Sequence, residues 1–134
     1  MAGALKEKLK DAIIKKAIQK VINDSNEKLD FEAVIIEHGT ASDVNKKLVI
    51  KITDMESNTG LGIKDGKMVE IDKVNNPDTI FSMSKNTFSA ILLNKIDHRQ
   101  AYLIGAIDAY GESWVRDSIL LGKIFDEIRV VIKR

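Results

Sequence analysis

The N-terminal part of the chain has the apolar spacing of a helix, but the pattern falls into two parts. Residues 4–23 contain neither proline nor glycine, and we predict a helix there. One apolar stripe consists of Leu5, Leu9, Ala12 and Ile13, and the other of Ile14, Ala17, Ile18, Val21 and Ile22. At about 100° per residue, the two stripes lie on different sides of a straight helix. Either the helix breaks near Ala12, or its first turns contact something other than this chain's own core.

The segment after this helix is ambiguous. Asn and Asp residues at 23–26 predict a turn, and residues 39–43 predict a loop. Residues 29–37 contain the apolar, β-branched run Val-Ile-Ile, which favours a strand, together with Glu and Ala, which favour a helix. We favour the strand for residues 29–37 and keep the helix as the alternative.

The middle of the chain has strand-like alternation and turn residues. Leu48, Ile50 and Ile52 alternate with other side chains, as in a half-buried strand. Asp65-Gly66 is the type of dipeptide that forms a two-residue hairpin turn. The predicted strands here are residues 48–53, 59–64, 67–71 and 79–83.

The last third predicts helices around one more strand. Ser84 is suited to cap a helix that carries Phe88, Ile91 and Leu92 on one face, and Asp97 with Gln100 fits a capping box for a second helix. The remaining elements are a strand at 106–110 and a helix from Trp114, capped by Ser113, to about Ile128, after which residues 130–132 either fray or form a strand. The order predicts an α+β fold, with helices over a mainly antiparallel sheet of about five strands.

Composition narrows the classes of function. The chain has 134 residues, the size of one domain, and no cysteine, so thiol catalysis, disulfides and thiolate metal sites are excluded. The net charge is +1, but residues 1–22 carry +4, because six lysines oppose Glu7 and Asp11. The sequence lacks an apolar run long enough to span a membrane and lacks the pattern of a secretory signal. We therefore expect a cytoplasmic protein with no nucleic-acid partner.

Residues 78–111 carry motifs whose order resembles a known family. Asp78-Thr-Ile-Phe-Ser-Met-Ser84 precedes a helix with Phe88 and Leu92-Leu93, and Asn94-Lys-Ile-Asp97, Gln100-Ala101-Tyr102, Gly105 and Gly111 follow. This string resembles the sterol carrier protein type 2 family of lipid-binding and lipid-transfer domains. Asn94 stands where the family has a turn glycine, and His98 where it has a proline. The resemblance covers about residues 46–128, and residues 24–45 match poorly.

From its length and pattern we expect a single domain over residues 1–134, with residues 1–23 as a lysine-rich helix, and the resemblance places this domain in the lipid-binding family. It implies an apolar cavity between sheet and helices that holds an acyl chain, a sterol or a similar lipid, without catalysis, metal or cofactor. The residues that we expect to line this cavity are Ile80, Met83, Phe88, Leu92, Leu103, Ile107, Trp114, Leu121 and Phe125. Apolar side chains at helical and strand spacing are also what a solid core requires, so the sequence alone leaves both interpretations open.

Residues suited to catalysis are few. His38 and His98 are sixty positions apart, and we interpret both as surface residues. Asp108 lies within a predicted strand, where it points either to solvent or to the mouth of a cavity. Gly60-Leu61-Gly62 precedes a hairpin rather than a helix, which argues against a phosphate-binding loop.

Two other functions compete with lipid binding. The first is an interaction module that uses the unpaired helix stripe for a homodimer or a partner, and the second is an enzyme that uses Asp108 or His98. For a lipid carrier, a lysine-rich amphipathic helix is also suited to transient contact with an anionic membrane surface.

Overall fold

The computed structural model describes residues 2–55 and 58–132. The chain forms five helices and five strands within this part. The helices are α1 (Ala2–Lys28), α2 (Phe31–His38), α3 (Lys85–Leu92), α4 (His98–Leu103) and α5 (Trp114–Ile132). The strands are β1 (Leu48–Ile52), β2 (Gly60–Lys64), β3 (Lys67–Glu70), β4 (Thr79–Met83) and β5 (Ile107–Tyr110), and short 3-10 turns occupy Ala41–Asn45 and Ile71–Lys73. The α+β class is confirmed.

The five strands form one mixed sheet in the order β3-β2-β1-β4-β5. Strand β1 pairs in parallel with β4, and the other neighbours are antiparallel. The expectation of a mainly antiparallel sheet is therefore corrected to a mixed one. The physical reason is the connection after β3, which returns the chain to the end where β1 began, so that β4 must run in the direction of β1.

This returning connection covers one face of the sheet. Ile71 and Val74 pack on Val49, with Val69 and Ile80 at the edge of the same small cluster. A Cβ atom on Gly62 would lie 2.4 Å from Val74 Cγ2, so glycine in β2 makes room for the connection. The Gly60-Leu61-Gly62 segment is thus a strand with a packing role.

The helices cover the other face, with α5 at the centre of their layer. Helices α1, α2 and α3 and strand β5 all contact α5. The buried side of the sheet carries Leu48, Ile50 and Ile52 on β1 and Phe81 and Met83 on β4. These side chains form one contiguous core with the inner faces of the helices, and burial of apolar surface there is the main source of stability.

Helix α1 continues past the predicted turn at 23–26 and ends at Lys28. Asp24 forms ion pairs with Lys20 and Lys28, one helical turn away on either side. The Asn26 side chain donates to the Met68 carbonyl at 2.8 Å and accepts from the Met68 N–H at 3.1 Å. The turn prediction was wrong because residues that favour turns are held in the helix by contacts outside their own segment.

Residues 31–37 of the segment 29–37 lie in helix α2, so the strand that we favoured is wrong. The Asp30 side chain accepts from the Ala33 N–H and caps α2. Phe31, Val34 and Ile35 then face the core at helical spacing. The cap and the core contact of this face outweigh the β preference of the Val-Ile-Ile run.

The other local predictions are largely confirmed. Asp65 and Gly66 both have positive φ, as a two-residue hairpin turn requires. Ser84 caps α3, and Asp97 with Gln100 forms the capping box of α4. Helix α5 runs to Ile132, so residues 130–132 continue the helix and do not form a strand. Within the described residues, no helix has both the length and the apolarity needed to cross a bilayer.

Candidate functional site

Most of the predicted lining residues lie together between the sheet and α5. The residues in this group are Met83, Phe88, Ile107, Leu121 and Phe125, all buried in the main core. Leu92 is partly buried and packs against the same core. The structure thus places six of the nine side chains in or against one packed core, and the expected cavity among them stays a prediction. Their role in holding a ligand stays a prediction.

The remaining three predicted residues lie elsewhere. Ile80 pairs with Val49 in register and points to the opposite face of the sheet, under the returning connection. Leu103 is 86% exposed, because the buried side of α4 is formed by His98 and Ala101 and Leu103 lies on another side of this helix. Trp114 is 43% exposed at the first turn of α5. Neither Ile80 nor Leu103 lies in the buried group. The register of β4 places Ile80 on the other face of the sheet, and the rotation of α4 exposes Leu103 to solvent.

Tyr102 connects the core to the surface at α4. Its ring makes an edge contact with buried Phe81 at 6.5 Å between centroids and another with His98 at 5.0 Å. Its third ring neighbour is Trp114, at 6.2 Å, and its hydroxyl accepts from Ser118 at 2.8 Å. Burial raises the pKa of Tyr102 to about 12, and the Ser118 hydrogen bond opposes this shift. These contacts hold α4 against the start of α5.

Exposed apolar side chains follow Tyr102 at the end of α4 and lie in the first two turns of α5. We call the following residues the α4–α5 apolar patch: Leu103, Ile104, Trp114, Val115 and Ile119. Tyr102 contacts both Trp114 and Ser118, so the end of α4 and the first turns of α5 meet at one surface. Single exposed apolar residues are ordinary, whereas exposed apolar residues that form a contiguous surface often mark a binding site.

A cleft of about 380 Å³ opens beside this patch, between the α3–α4 turn and α5. We call it the His98 cleft; its lining is Asn94, Asp97, His98, Arg99, Ile119, Gly122, Lys123, Asp126 and Arg129. His98 is only 6% exposed, which corrects its interpretation as a surface residue. Its ring lies on Gly122, where a Cβ atom would be 2.9 Å from Nδ1. Burial lowers the pKa of His98, so the imidazole is neutral near pH 7.

A polar network fixes the start of α5 against the sheet. Buried Asp117 accepts from Lys46 Nζ at 2.6 Å and from the Thr79 hydroxyl. Buried Asp43 accepts from Arg116 at 2.8 Å. These charges are paired with one another across α5, β4 and the turn before β1, which indicates a structural role.

Other polar residues considered for chemistry lie outside the core. Asp108 is exposed on the face of β5 that points away from the helices. Glu37, His38 and Glu127 bring three possible metal-ligand atoms within 4.8 Å of one another, with Glu37 exposed and the other two partly buried. His38 Nε2 lies 3.4 Å from Glu127 Oε1, so the two side chains already satisfy each other without an ion. The sequence did not predict this cluster, because α2 and α5 meet only in the tertiary structure.

Comparison with known proteins identifies the architecture. No protein-family model and no curated protein sequence matches the chain. Among solved structures, sterol carrier protein 2 from Yarrowia lipolytica in its apo form is similar, with a TM-score of 0.57, 15% identity and coverage of 87% of this chain and 90% of that chain. A crystal structure of sterol carrier protein 2 gives a TM-score of 0.55, with 9% identity and coverage of 87% and 94%. The chain has the sterol carrier protein 2 fold.

The sterol carrier protein 2 fold confirms the resemblance, since the likeness covers 87% of the chain in both comparisons. The sequence did not indicate the His98 cleft or the position of Tyr102 at the junction of α4 and α5. The capping box predicted that Tyr102 lies on α4, but only the packing of α4 on α5 brings Ser118 to its hydroxyl and brings Ile119 and Lys123 to the cleft that His98 lines.

Proposed function

We propose that this chain binds and carries a hydrophobic small molecule, such as an acyl chain, a sterol or an isoprenoid, and does so without catalysis. The single observation that carries the proposal is the α4–α5 apolar patch, which lies where Tyr102 links the surface to the core. Exposed apolar side chains at this point offer a ligand tail a route between water and the interior. The fold supports the proposal, since both similar structures described above are sterol carrier proteins.

The interior on this route is suited to an adaptable ligand. Met83 lies in the core beside Phe88 and Ile107, and a flexible thioether adapts to irregular apolar shapes. Each methylene group that leaves water gains about 0.8 kcal/mol, before the losses from ordering the ligand. A long tail therefore binds with little help from polar contacts, and we expect broad specificity among apolar tails.

Native mass spectrometry of freshly purified protein, followed by solvent extraction and lipid analysis, tests this function first. We expect an added mass that is extracted as a lipid, and saturable binding of a fluorescent fatty acid by the delipidated protein. A bare mass together with no saturable binding would contradict the proposal and favour an interaction module.

A pair of matched variants tests the route. Val115 and Val130 are the same residue type on the same helix, 55% and 53% exposed, but only Val115 belongs to the apolar patch. Val115→Glu should weaken fatty-acid binding by about tenfold, because it puts a charge beside the entering tail. Val130→Glu should leave binding unchanged. Equal affinities for the two variants would show that the ligand does not pass the patch.

Helix α1 supports a second proposal, transient contact with an anionic membrane surface. Leu5, Leu9 and Ile13 are exposed at one-turn spacing, whereas Ile14 and Ile18 are buried against the core. The helix does not break near Ala12, so the first of the two predicted stripes lies on an outer face. The lysine excess of residues 1–22 is complementary to acidic headgroups.

Sedimentation with vesicles, together with the molecular mass in solution, distinguishes a membrane surface from a second copy of the chain as the partner of this exposed stripe. We expect binding to phosphatidylglycerol vesicles and little binding to phosphatidylcholine vesicles, with loss of binding in Leu9→Glu. A molecular mass in solution that is twice that of the chain, reduced to one chain by Leu9→Glu, would instead support a homodimer through α1.

A further inference from the structure

Three side chains of the types that ligate metals meet where the end of α2 packs on α5. Glu37 and His38 are the last two residues of α2, and Glu127 lies on α5. One ligand atom from each residue, a carboxylate oxygen or an imidazole nitrogen, lies within 4.8 Å of the other two. Because α2 and α5 contact each other, the tertiary fold sets the spacing of these atoms.

The contact between His38 and Glu127 has the spacing of two ligands on one metal ion. His38 Nε2 lies 3.4 Å from Glu127 Oε1, whereas an N–H···O hydrogen bond usually spans about 2.7–3.2 Å. Nitrogen and oxygen ligands lie about 2.0–2.2 Å from Zn²⁺, so two ligands of a tetrahedral ion are about 3.3–3.6 Å apart. A metal ion would take the Nε2 lone pair of the neutral ring, whose proton then lies on Nδ1.

The cluster contains two carboxyl groups that no lysine or arginine balances. Within the described part of the chain, Glu127 forms an ion pair with His38 alone, and the Glu37 carboxyl group forms no ion pair or hydrogen bond. Carboxylates this close repel each other, and a divalent cation between them removes the repulsion. The end of α2 adds to this preference, because the C-terminus of a helix carries partial negative charge.

An ion can reach the three ligands from solvent. The side chains of His38 and Glu127 are 23% and 36% exposed, and Glu37 is exposed. The Glu37 carboxyl group has no described partner to give up, so rotation about its side-chain bonds brings it onto the ion at little cost. Three protein ligands leave the fourth tetrahedral position to water.

We propose that Glu37, His38 and Glu127 form a Zn²⁺ site that joins the end of α2 to α5. The imidazole ligand favours Zn²⁺ over Mg²⁺ and Ca²⁺, which prefer oxygen ligands alone. The inference does not depend on lipid binding and goes beyond the proposed function. Bound Zn²⁺ stabilises the folded chain, because the unfolded chain does not hold the three ligands together.

Isothermal titration tests the site on the full chain, purified without a histidine tag and dialysed against a chelator. We expect one Zn²⁺ ion per chain, a rise in melting temperature on saturation, and no comparable binding of Mg²⁺ or Ca²⁺. Absence of Zn²⁺ binding would overturn the proposal and leave lipid binding untouched. Equally tight binding of Mg²⁺ would also overturn it, because it would show a general cation patch without an imidazole ligand.

Glu37→Gln is the decisive variant, because this exposed side chain has no described contact that supports the fold. Loss of an outer-shell partner of a metal ligand already costs about 10–100-fold in affinity, so loss of a ligand should weaken Zn²⁺ binding by about 100-fold. The control Glu112→Gln removes the same charge from an exposed position before α5 and should leave the affinity unchanged. Equal affinities of the two variants would overturn the three-ligand site.

The histidine ring signals in NMR spectra locate the ion directly. The chain has two histidines, so His98 is an internal control in the same sample. Zn²⁺ should shift the Nε2 signal of His38 with saturation at one equivalent, and the His98 ring signals should stay in place. Stoichiometric Zn²⁺ binding that leaves the His38 ring unchanged would place the ion elsewhere and overturn the assignment.

Discussion

A methyl group added at Gly122 tests how tightly α4 packs on α5. A Cβ atom at this position would lie 2.9 Å from His98 Nδ1 and 3.1 Å from His98 Cε1, closer than ordinary van der Waals contact. Alanine in a helix interior is about 1 kcal/mol more favourable than glycine, whereas overpacking a filled site costs about 1–3 kcal/mol. We expect the steric cost to prevail, so that Gly122→Ala lowers the free energy of unfolding by about 1 kcal/mol.

The sign should reverse when the His98 ring is removed. In a His98→Ala background, Gly122→Ala keeps its helix preference without the clash and should raise the free energy of unfolding by about 1 kcal/mol. The double-mutant cycle then gives a coupling energy of about 2 kcal/mol between the two positions. Urea denaturation followed by circular dichroism measures all four proteins, provided that the dependence on urea concentration keeps the same slope.

Val130→Ala is the control for helix preference alone. Val130 is exposed near the end of α5, away from His98, so this substitution should raise stability by about 0.5 kcal/mol in both backgrounds. If Gly122→Ala stabilises the wild-type and His98→Ala proteins equally, the His98 ring does not rest on Gly122. The floor of the cleft would then differ from the one described.

Three further predictions concern the supports of the site. Lys46→Met removes the cation that pairs with buried Asp117, and we expect a loss of about 3 kcal/mol in urea unfolding; a loss below about 1 kcal/mol would show that the pair is not buried. Asn26→Ala removes two hydrogen bonds to Met68, so hydrogen exchange of the Met68 amide should become faster; unchanged exchange would contradict the contact. The pKa of Tyr102 is raised to about 12 in the folded protein, against about 10 in the unfolded chain. The contribution of Tyr102 to the free energy of unfolding is therefore complete below pH 10 and is lost as the pH rises towards 12. Tyr102→Phe should reduce the loss of stability between about pH 10 and pH 12. If the free energy of unfolding depends on pH in the same way in the variant and the wild-type protein, this prediction is refuted.

Local chemistry was enough to predict many elements from the sequence. The Asp65-Gly66 turn needs positive φ at both residues, and this dipeptide tolerates it. Ser84 and Asp97 satisfy free N–H groups at helix starts, so the positions of α3 and α4 followed from short motifs. The two apolar stripes of α1 also indicated correctly that one straight helix could not bury both of its faces in its own core.

Tertiary contacts decided the points at which local preference was weak or misleading. Asn26 lies in a helix because Met68 on β3 holds its side chain, and segment 29–37 is helical because Phe31 and Val34 face the core. The parallel pairing of β1 with β4 depends on the path of the connection after β3, which strand alternation does not encode.

The candidate site shows the same division. Apolar spacing correctly predicted that Met83, Phe88 and Leu121 are buried, because periodicity reports which side chains leave water. It could not show that Leu103 faces solvent or that His98 lies beneath a cleft. Those positions depend on the rotation of α4 against α5, which is set by side-chain packing between residues far apart in the chain and not by the pattern within either helix.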